Sequence, residues 1–286
     1  MSESNATQSA QSALWAVIED AARRLEAADV PSARHDAEQL AAHALGIWRS
    51  RLHTAPFFTT EQFTAFSANV ARRESREPLQ HIVGTAPFRH LELAVGPGVF
   101  VPRPETEVLV DAVLAAAPQG ALVVDLCAGS GAIALSVAYE RPDTTVHAVE
   151  RDEEAFAWLS RNAAGSRVST HLADAADALP ALDGTVDVVA SNPPYVRAGQ
   201  DLQPEVSGFD PAQALWGGVD GLDVVRIVER RAARLLRPGG FLAIEHEDTH
   251  GEEGPALLAA SGSWTEIAGH LDLTGRPRFV TARRCS

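Results

Sequence analysis

The sequence predicts an α/β fold, a doubly wound and mainly parallel sheet preceded by a small helical bundle. Three observations carry that prediction. From Gln119 onward, short apolar runs alternate with helical patterns. The first of those runs ends in a glycine-rich turn, Cys127-Ala128-Gly129-Ser130-Gly131. Residues 1–76 show apolar side chains at helical spacing instead. A βαβ succession places helices between parallel strands and leaves ligands at the carboxyl ends of those strands.

The elements follow in order. Leu14, Val17, Ile18, Ala21 and Leu25 recur on one helical face. Pro31-Ser32 predicts the next start, with Ser32 as N-cap and Ala37, Leu40, Ala41, Ala44 and Leu45 on the buried face before Gly46 closes the helix. Thr59 to Gln62 offers a capping box for a helix carrying Phe63, Phe66 and Val70. Residues 1–76 therefore form a helical domain, either a packing appendage or a docking module. Gly84, Pro87, Gly96 and Gly98 then punctuate two β-prone pieces, Phe88–Val95 and Val99–Val101, which predicts a hairpin in a linker over 77–104. Arg103-Pro104-Glu105-Thr106-Glu107 opens a helix, and a catalytic domain over 105–286 begins there. Its strands are expected at Ala121–Leu126, Thr145–Val149, Val168–Leu172, Val186–Ala190, Phe241–Glu245 and Arg278–Ala282. Its helices are expected at Ala132–Ala138, Glu153–Asn162, Gly221–Leu236 and Gly254–Ala260.

Composition narrows the function classes. The 286 residues carry a formal net charge of −14, and all 24 basic residues are arginine. Coating nucleic acid needs clustered cations, so that class is disfavoured. Residues 1–80 are nearly neutral, with ten acids against eight arginines. No apolar run approaches the ~18–20 residues that cross a bilayer. The opening MSESNATQSAQ lacks the basic start and apolar core of a secretory signal. With Cys127 and Cys285 as the two cysteines, a disulfide framework is not expected and the cytoplasm is the expected compartment.

Chemistry concentrates in two places. A side chain at Gly129 or Gly131 would obstruct a ligand approaching the turn's backbone. Glu150 closes the next strand, where a carboxylate can hold both hydroxyls of a ribose. By spacing this matches the dinucleotide fingerprint G-x-G-x-x-A, with an acid ~20 residues on. An NAD-dependent oxidoreductase is thus one reading of the turn; glycines that merely shape a strand-to-helix corner are another. Asn192-Pro193-Pro194-Tyr195 follows the fourth strand at the same carboxyl edge. Two prolines make that turn rigid and remove two N–H donors. The Asn192 side-chain oxygen and the Pro193 carbonyl can then converge as acceptors on a planar –NH2 group, each hydrogen of which needs a partner. Tyr195 adds a flat face for a planar amide or base. The plainer alternative is a structural Pro-Pro turn.

Together the glycine loop, Glu150, Asp174 and the NPPY turn resemble the class I S-adenosylmethionine-dependent methyltransferases that act on planar –NH2 nitrogens. Three flanking stretches narrow the resemblance: Glu77–Gly84 (EPLQHIVG), Val101–Glu107 (VPRPETE) and Pro238–His246 (PGGFLAIEH). They are similar to the PrmC/HemK family of peptide chain release factor glutamine N5-methyltransferases, over nearly the whole chain and in the family's order. The resemblance implies a class I Rossmann-like methyltransferase domain behind a small N-terminal helical bundle. It implies that Cys127, Ala128, Gly129, Ser130 and Gly131 wrap the methionine part of S-adenosyl-L-methionine, that Glu150 binds the ribose hydroxyls, and that Asp174 and Ala175 lie at the adenine. It implies that Asn192, Pro193 and Tyr195, with Pro194 between them, hold the glutamine of a release factor's Gly-Gly-Gln loop, and that Asn192 also borders the cofactor. Phe100, with Arg103 to Glu107, would line the opposite wall. S-adenosyl-L-homocysteine is the implied product. Release factors are the implied partners of a monomer that uses no nucleic acid and no membrane.

The chain departs from the family in two places. Cys127-Ala128 stands where Gly-Thr is common, and Ala175 stands where many members carry an aromatic residue. The same site logic serves adenine N6-methyltransferases of DNA and amino-methyltransferases of ribosomal RNA, and a silent S-adenosylmethionine-binding adaptor is the non-enzymatic alternative. His81, His246 and His250 lack metal-ligand spacing, so no metal is expected. Cys127 reads as a small residue filling a tight loop rather than a reactive thiol. Asp201, Glu205 and Asp210 are expected on a mobile loop over the site rather than as a catalytic pair.

Overall fold

The computed structural model describes residues 2–286, with side chains from residue 11 onward. Contacts divide the chain into two compact units. The first runs to Gly84 and also takes in Gln203–Phe209; the second comprises Thr85–Leu202 and Asp210–Ser286.

The first unit is helical. Helix α1 is Ser2–Ala27, α2 Ala33–Leu45, α3 Thr60–Glu74 and α4 Leu79–Val83, with a 3-10 turn at Arg49–Thr54. Leu14, Ile18, Leu25, Leu40, Phe66 and Val70 form its core, as their helical spacing requires. The predicted capping box is present: Thr59 accepts from Gln62 N at 3.2 Å, and Gln62 returns the bond at 2.9 Å. Ser32 stands before α2 but makes no side-chain cap; its hydroxyl donates to Asp36 at 3.0 Å. Asp36 is buried and needs that donor, because its other oxygen takes the Arg73 guanidinium at 2.8 Å. Arg73, only 5% exposed, divides its charge between Asp36 and Glu205. Glu205 also forks onto Arg76 at 2.7 and 2.6 Å. It lies on a short helix, Pro204–Phe209, that belongs to this unit, so the expected mobile loop is replaced there by a fastened helical excursion.

The second unit begins with a hairpin, but not the expected one. Strand β1 is Thr85–Phe88 and β2 Leu91–Ala94, with the turn at Arg89-His90. Arg89 adopts a left-handed conformation (φ 50°) because its N–H donates to Glu107 Oε1 and its guanidinium forks onto Glu140. Val99–Val101 forms no strand. Val99 and Val101 are buried singly, with Val95, against Ala155 and Trp158.

Helix α5 (Glu107–Ala116) leads into the sheet. Its strands are β3 (Leu122–Leu126), β4 (Thr145–Glu150), β5 (Val168–Leu172), β6 (Val186–Ser191), β7 (Leu236–Glu245), β8 (Trp264–Leu271) and β9 (Pro277–Arg284). Their spatial order is β5-β4-β3-β6-β7-β9-β8. The first five are parallel, and β9 runs antiparallel to both β7 and β8. Helices α6 (Ala132–Glu140), α7 (Glu153–Ala163), α10 (Asp223–Leu235) and α11 (Glu253–Ser261) cover the two faces; α8 is the Pro204–Phe209 excursion and α9 is Ala212–Leu215. Adjacent strand residues face opposite ways. Val123, Val146 and Val188 therefore pack with α5, α6 and α7, while Val124, Val149 and Val189 pack with α10 and α11.

Strand β8 is absent from the sequence prediction. It is an edge strand whose outward residues are mostly exposed, and a register shift beside Glu266 (φ 51°) breaks its alternation. Strand β7 also begins earlier than predicted, at Leu236, and α10 starts at Asp223 rather than Gly221.

Candidate active site

The parallel register sets the site. Leu126 lies opposite Val149 on one side and Ser191 on the other. The next residues outward on those three strands are Cys127, Glu150 and Asn192. Three chemically marked positions thus emerge side by side at one carboxyl edge, as a switch point in an open sheet requires.

The glycine turn is built from unusual backbone. Cys127, Gly129 and Gly131 all have positive φ, at 62°, 54° and 89°. At Gly129 an added Cβ would meet nothing within 4 Å, so the turn faces open space there. Gly131 answers to a further constraint that the sequence does not show. An added Cβ would strike Leu159 at 2.8 Å and Leu135 at 3.0 Å, so the missing side chain lets α6 pack. Asp125, fully buried below the turn, accepts from Ala134 N at 3.0 Å and restrains the start of α6. Burial pushes its carboxyl up to about 8, with the nearby Glu150 charge adding to the rise. Burial likewise pushes the Cys127 thiol up to about 12, which makes it packing rather than a nucleophile.

Glu150 is 8% exposed and closely held. Its Oε1 accepts from Arg151 N at 2.7 Å and Asp152 N at 2.9 Å, while Oε2 accepts from Gly129 N at 2.9 Å. A carboxylate has about four lone-pair positions, so Oε2 keeps one for a ligand hydroxyl. Asp174 follows β5 and caps its own turn by accepting from Ala176 N at 2.8 Å. Ala175 is buried in the core beneath, with Val124, Leu126 and Val149. Its small side chain is a core contact, and it offers no stacking face.

The Asn192–Tyr195 turn is braced from behind. Val196 N donates to Leu215 O and Gly217 N to Val196 O, both at 2.8 Å. A Cβ on Gly217 would lie 2.8 Å from the Pro194 carbonyl, and one on Gly221 would meet the Tyr195 carbonyl. These two glycines allow a loop to press against the turn. The pattern WGGVDG was their visible signal, yet it fell outside every motif singled out above.

The side chains of the turn lead inward. Asn192 Nδ2 donates to Thr106 Oγ1 at 3.2 Å, and the Tyr195 hydroxyl donates to Glu245 Oε1 at 2.9 Å. Glu245, only 1% exposed, is pushed up to about 7 by burial against the opposing help of the Thr106 and Tyr195 hydroxyls and Arg278. Arg103 stacks over the Phe100 ring at 4.9 Å and pairs with buried Asp210 at 2.7 Å. Phe100 and Arg103 are thus joined, whereas Glu107 accepts from Arg89 N in the hairpin. Asp210 is an anchor for Arg103 rather than part of a loose loop.

A parallel sheet with one reversed strand, a glycine turn and an acid on the neighbouring strand define a methyltransferase domain of class I. A family model described as "Methyltransferase small domain" matches residues 91–208, and one described as "PrmC N-terminal domain" matches residues 16–84. The chain is 52% identical over 278 residues to the release factor glutamine methyltransferase of Streptomyces coelicolor, covering 95% of this chain and 98% of that one. It is 50% identical over 274 residues to the protein of the same name from Mycolicibacterium smegmatis, with the same coverage. It is also 39% identical over 261 residues to a 4-amino-L-phenylalanine/4-methylamino-L-phenylalanine methyltransferase of Streptomyces pristinaespiralis, covering 88% and 89%. The chain belongs to the release factor glutamine methyltransferase family.

Proposed function

We propose that this protein transfers a methyl group from S-adenosyl-L-methionine to the side-chain amide nitrogen of the glutamine in a release factor's Gly-Gly-Gln loop. The observation that carries the reading is Asn192. Its Nδ2 is committed to Thr106, which leaves Oδ1 to serve as an acceptor. Support for a nucleoside ligand comes from the open space at Gly129 and the spare lone pair on Glu150. Cys127–Ser130 would border the methionine part, and Asp174 the adenine.

S-adenosylmethionine supplies a methyl group on a sulfonium, and S-adenosylhomocysteine is what remains. An amide nitrogen is a poor nucleophile, because its lone pair is delocalised into the carbonyl. Asn192 Oδ1 and the Pro193 carbonyl would take its two hydrogens, fix the direction of attack and favour positive charge developing on nitrogen. The Tyr195 ring packs against the amide plane. The N–C bond forms as the S–C bond breaks, and one amide proton then leaves to solvent.

Two acceptors and one ring recognise any planar –NH2, and one family relative is named for an aromatic amine. Selectivity for a release factor then comes from surface away from the reacting nitrogen. The helical unit is the available one, and its near-neutral charge suits a protein better than a phosphate backbone. The chain would act in the cytoplasm as a monomer. The test is radiolabelled methyl transfer by the full chain to an intact release factor, its Gln-to-Glu variant, adenine-containing DNA and 4-amino-L-phenylalanine. Label on the intact factor alone is expected, since a carboxylate presents no amide nitrogen. Label on DNA or on the aromatic amine with an unlabelled factor would overturn the reading.

A further inference from the structure

The carboxyl edge of the sheet carries an apolar ridge that methyl transfer itself does not use. Strands β6 and β7 are parallel and α10 crosses between them, so the chain enters α10 at the edge where β6 runs into the acceptor turn. The residues before α10 lie along that edge. Gln213 on α9 donates to Asp152, just past Glu150, at 2.7 Å. Trp216 pairs with Val196 in a parallel bridge, and Ala198 N donates to Gly218 O at 2.9 Å. The loop Trp216–Gly221 is thereby laid beside the segment that leaves Tyr195.

Two large apolar side chains of this loop face solvent. Trp216 is exposed, and Val219 is 88% exposed. One such residue alone needs no explanation. Here the two share a short loop that borders the acceptor turn and is held firmly in place. Gly217 and Gly221 lie so close to the Pro194 and Tyr195 carbonyls that neither has room for a Cβ. The Asp220 carbonyl is 2.9 Å from Nε2 of the fully buried His250. Arg226 Nη1 donates to the carboxylates of Asp220 and Asp223, each at 3.1 Å. The ridge is therefore apolar at its tip, with its flanking charges paired, and little freedom remains to be lost when something covers it.

The chemistry of the acceptor names the occupant. A glutamine side chain is short, so the main chain on either side of it must pass close over the rim of the pocket that holds its amide. Glycines beside it carry no side chain, and their main chain can lie close against an indole and a branched aliphatic group. A phosphate backbone would find Arg226, the cation of this loop, already engaged by two carboxylates.

We propose that Trp216 and Val219 dock the main chain that flanks the acceptor glutamine of a release factor. This rests on the reading that the acceptor amide belongs to such a glutamine. The ridge differs in reach from the helical unit. It touches residues next to the glutamine, so it acts on a short Gly-Gly-Gln peptide as well as on the folded factor, whereas a remote surface acts on the folded factor alone.

The experiment measures kcat/KM of the full chain for an intact release factor and for a Gly-Gly-Gln peptide. Val219→Asp should lower it by about 10-fold or more for both, the scale of one valine's burial. Val219→Ser, which adds no charge, should give a smaller loss in the same direction. Trp216→Ala should cost at least as much as Val219→Asp, and Trp216→Phe should recover part of it. The losses should lie in KM for the acceptor, with KM for S-adenosylmethionine and the melting temperature of the Val219 variants unchanged. Leu273, 90% exposed in the β8–β9 turn, is the control, and Leu273→Asp should behave as wild type. Wild-type kcat/KM for both acceptors in Val219→Asp, or an equal loss in Leu273→Asp, would overturn the ridge and leave the acceptor assignment standing. A loss confined to the intact factor would also overturn it, because the contact would then lie away from the glutamine. If the wild-type protein labels neither acceptor, the reading of the acceptor falls and the ridge with it.

Discussion

The cofactor edge and the acceptor edge of the sheet are neighbours built on different principles. At the glycine turn, position is set by backbone: three residues with positive φ, and a Glu150 side chain held by three N–H groups. At the NPPY turn, position is set by side chains reaching inward to Thr106 and Glu245. A backbone-built site tolerates a change of side chain that keeps the torsions. That is how Cys127 can occupy a left-handed position. A side-chain-built site has no such tolerance, because each atom's donor or acceptor character is part of its function.

Substitutions can break or sharpen this contrast. The largest effect is expected at the acceptor edge. Asn192→Ala should reduce kcat by about 100-fold or more, the scale for losing a preorganised polar contact at a reacting centre, while calorimetry shows nearly unchanged cofactor affinity. An equal loss of affinity would mean that the two edges are one construction. Glu150→Ala comes next. It removes a charged acceptor worth about 1.5–3 kcal/mol and also frees three N–H groups, so cofactor affinity should fall by at least tenfold (about 1.4 kcal/mol) with kcat at saturation less affected.

Glu245→Gln should have a smaller effect on stability, with a defined sign. The folded carboxyl titrates near 7, above its ordinary value of 4.5, so the fold favours the protonated form. The stability this lends is complete below about 4.5 and is lost as pH rises through about 7. Thermal melts should therefore show the variant gaining on wild type at pH 8, by about 1 kcal/mol once the lost charged bond to Tyr195 offsets the burial cost. At pH 4 the difference should vanish. A variant less stable at pH 8 than at pH 4, relative to wild type, would contradict the burial cost. The smallest effect belongs to Cys127→Gly. Relief of the left-handed torsion and the lost contacts of a partly buried sulfur nearly cancel, leaving a change within about 1 kcal/mol and turnover unaltered in the methyl-transfer assay.

What residue order could reveal follows the same divide. The glycine turn, Glu150 and NPPY are contiguous or end a predictable strand, and β-strand periodicity places all of them at one edge. Thr106 and Glu245 were visible too, in VPRPETE and at the end of the predicted strand Phe241–Glu245, but their pairing with the turn was not. They lie 86 and 50 residues from the partners they hold; the parallel pairing of β6 with β7 brings Glu245 to the turn, and the entry to α5 brings Thr106. The hairpin was displaced for a related reason, since Glu107 and Glu140 stabilise a left-handed arginine that local propensity would not choose. Edge strand β8 escaped because its alternation is broken by a bulge. Gly131 was recognised as necessary, and the structure adds a need the sequence did not show, the close packing of Leu135 and Leu159.

The excursion at Gln203–Phe209 bears on how such a protein can be taken apart. Because those seven residues lodge in the helical unit, the chain passes between the two units three times rather than once. A fragment ending at Gly84 would lack Glu205, leaving Arg76 without its fork and Arg73 with one carboxylate instead of two. The helical unit is thus not a cassette that recombination or a cloning cut could lift out whole. Grafting it onto another enzyme would require a matching seven-residue insert in the recipient, downstream of the recipient's own acceptor turn.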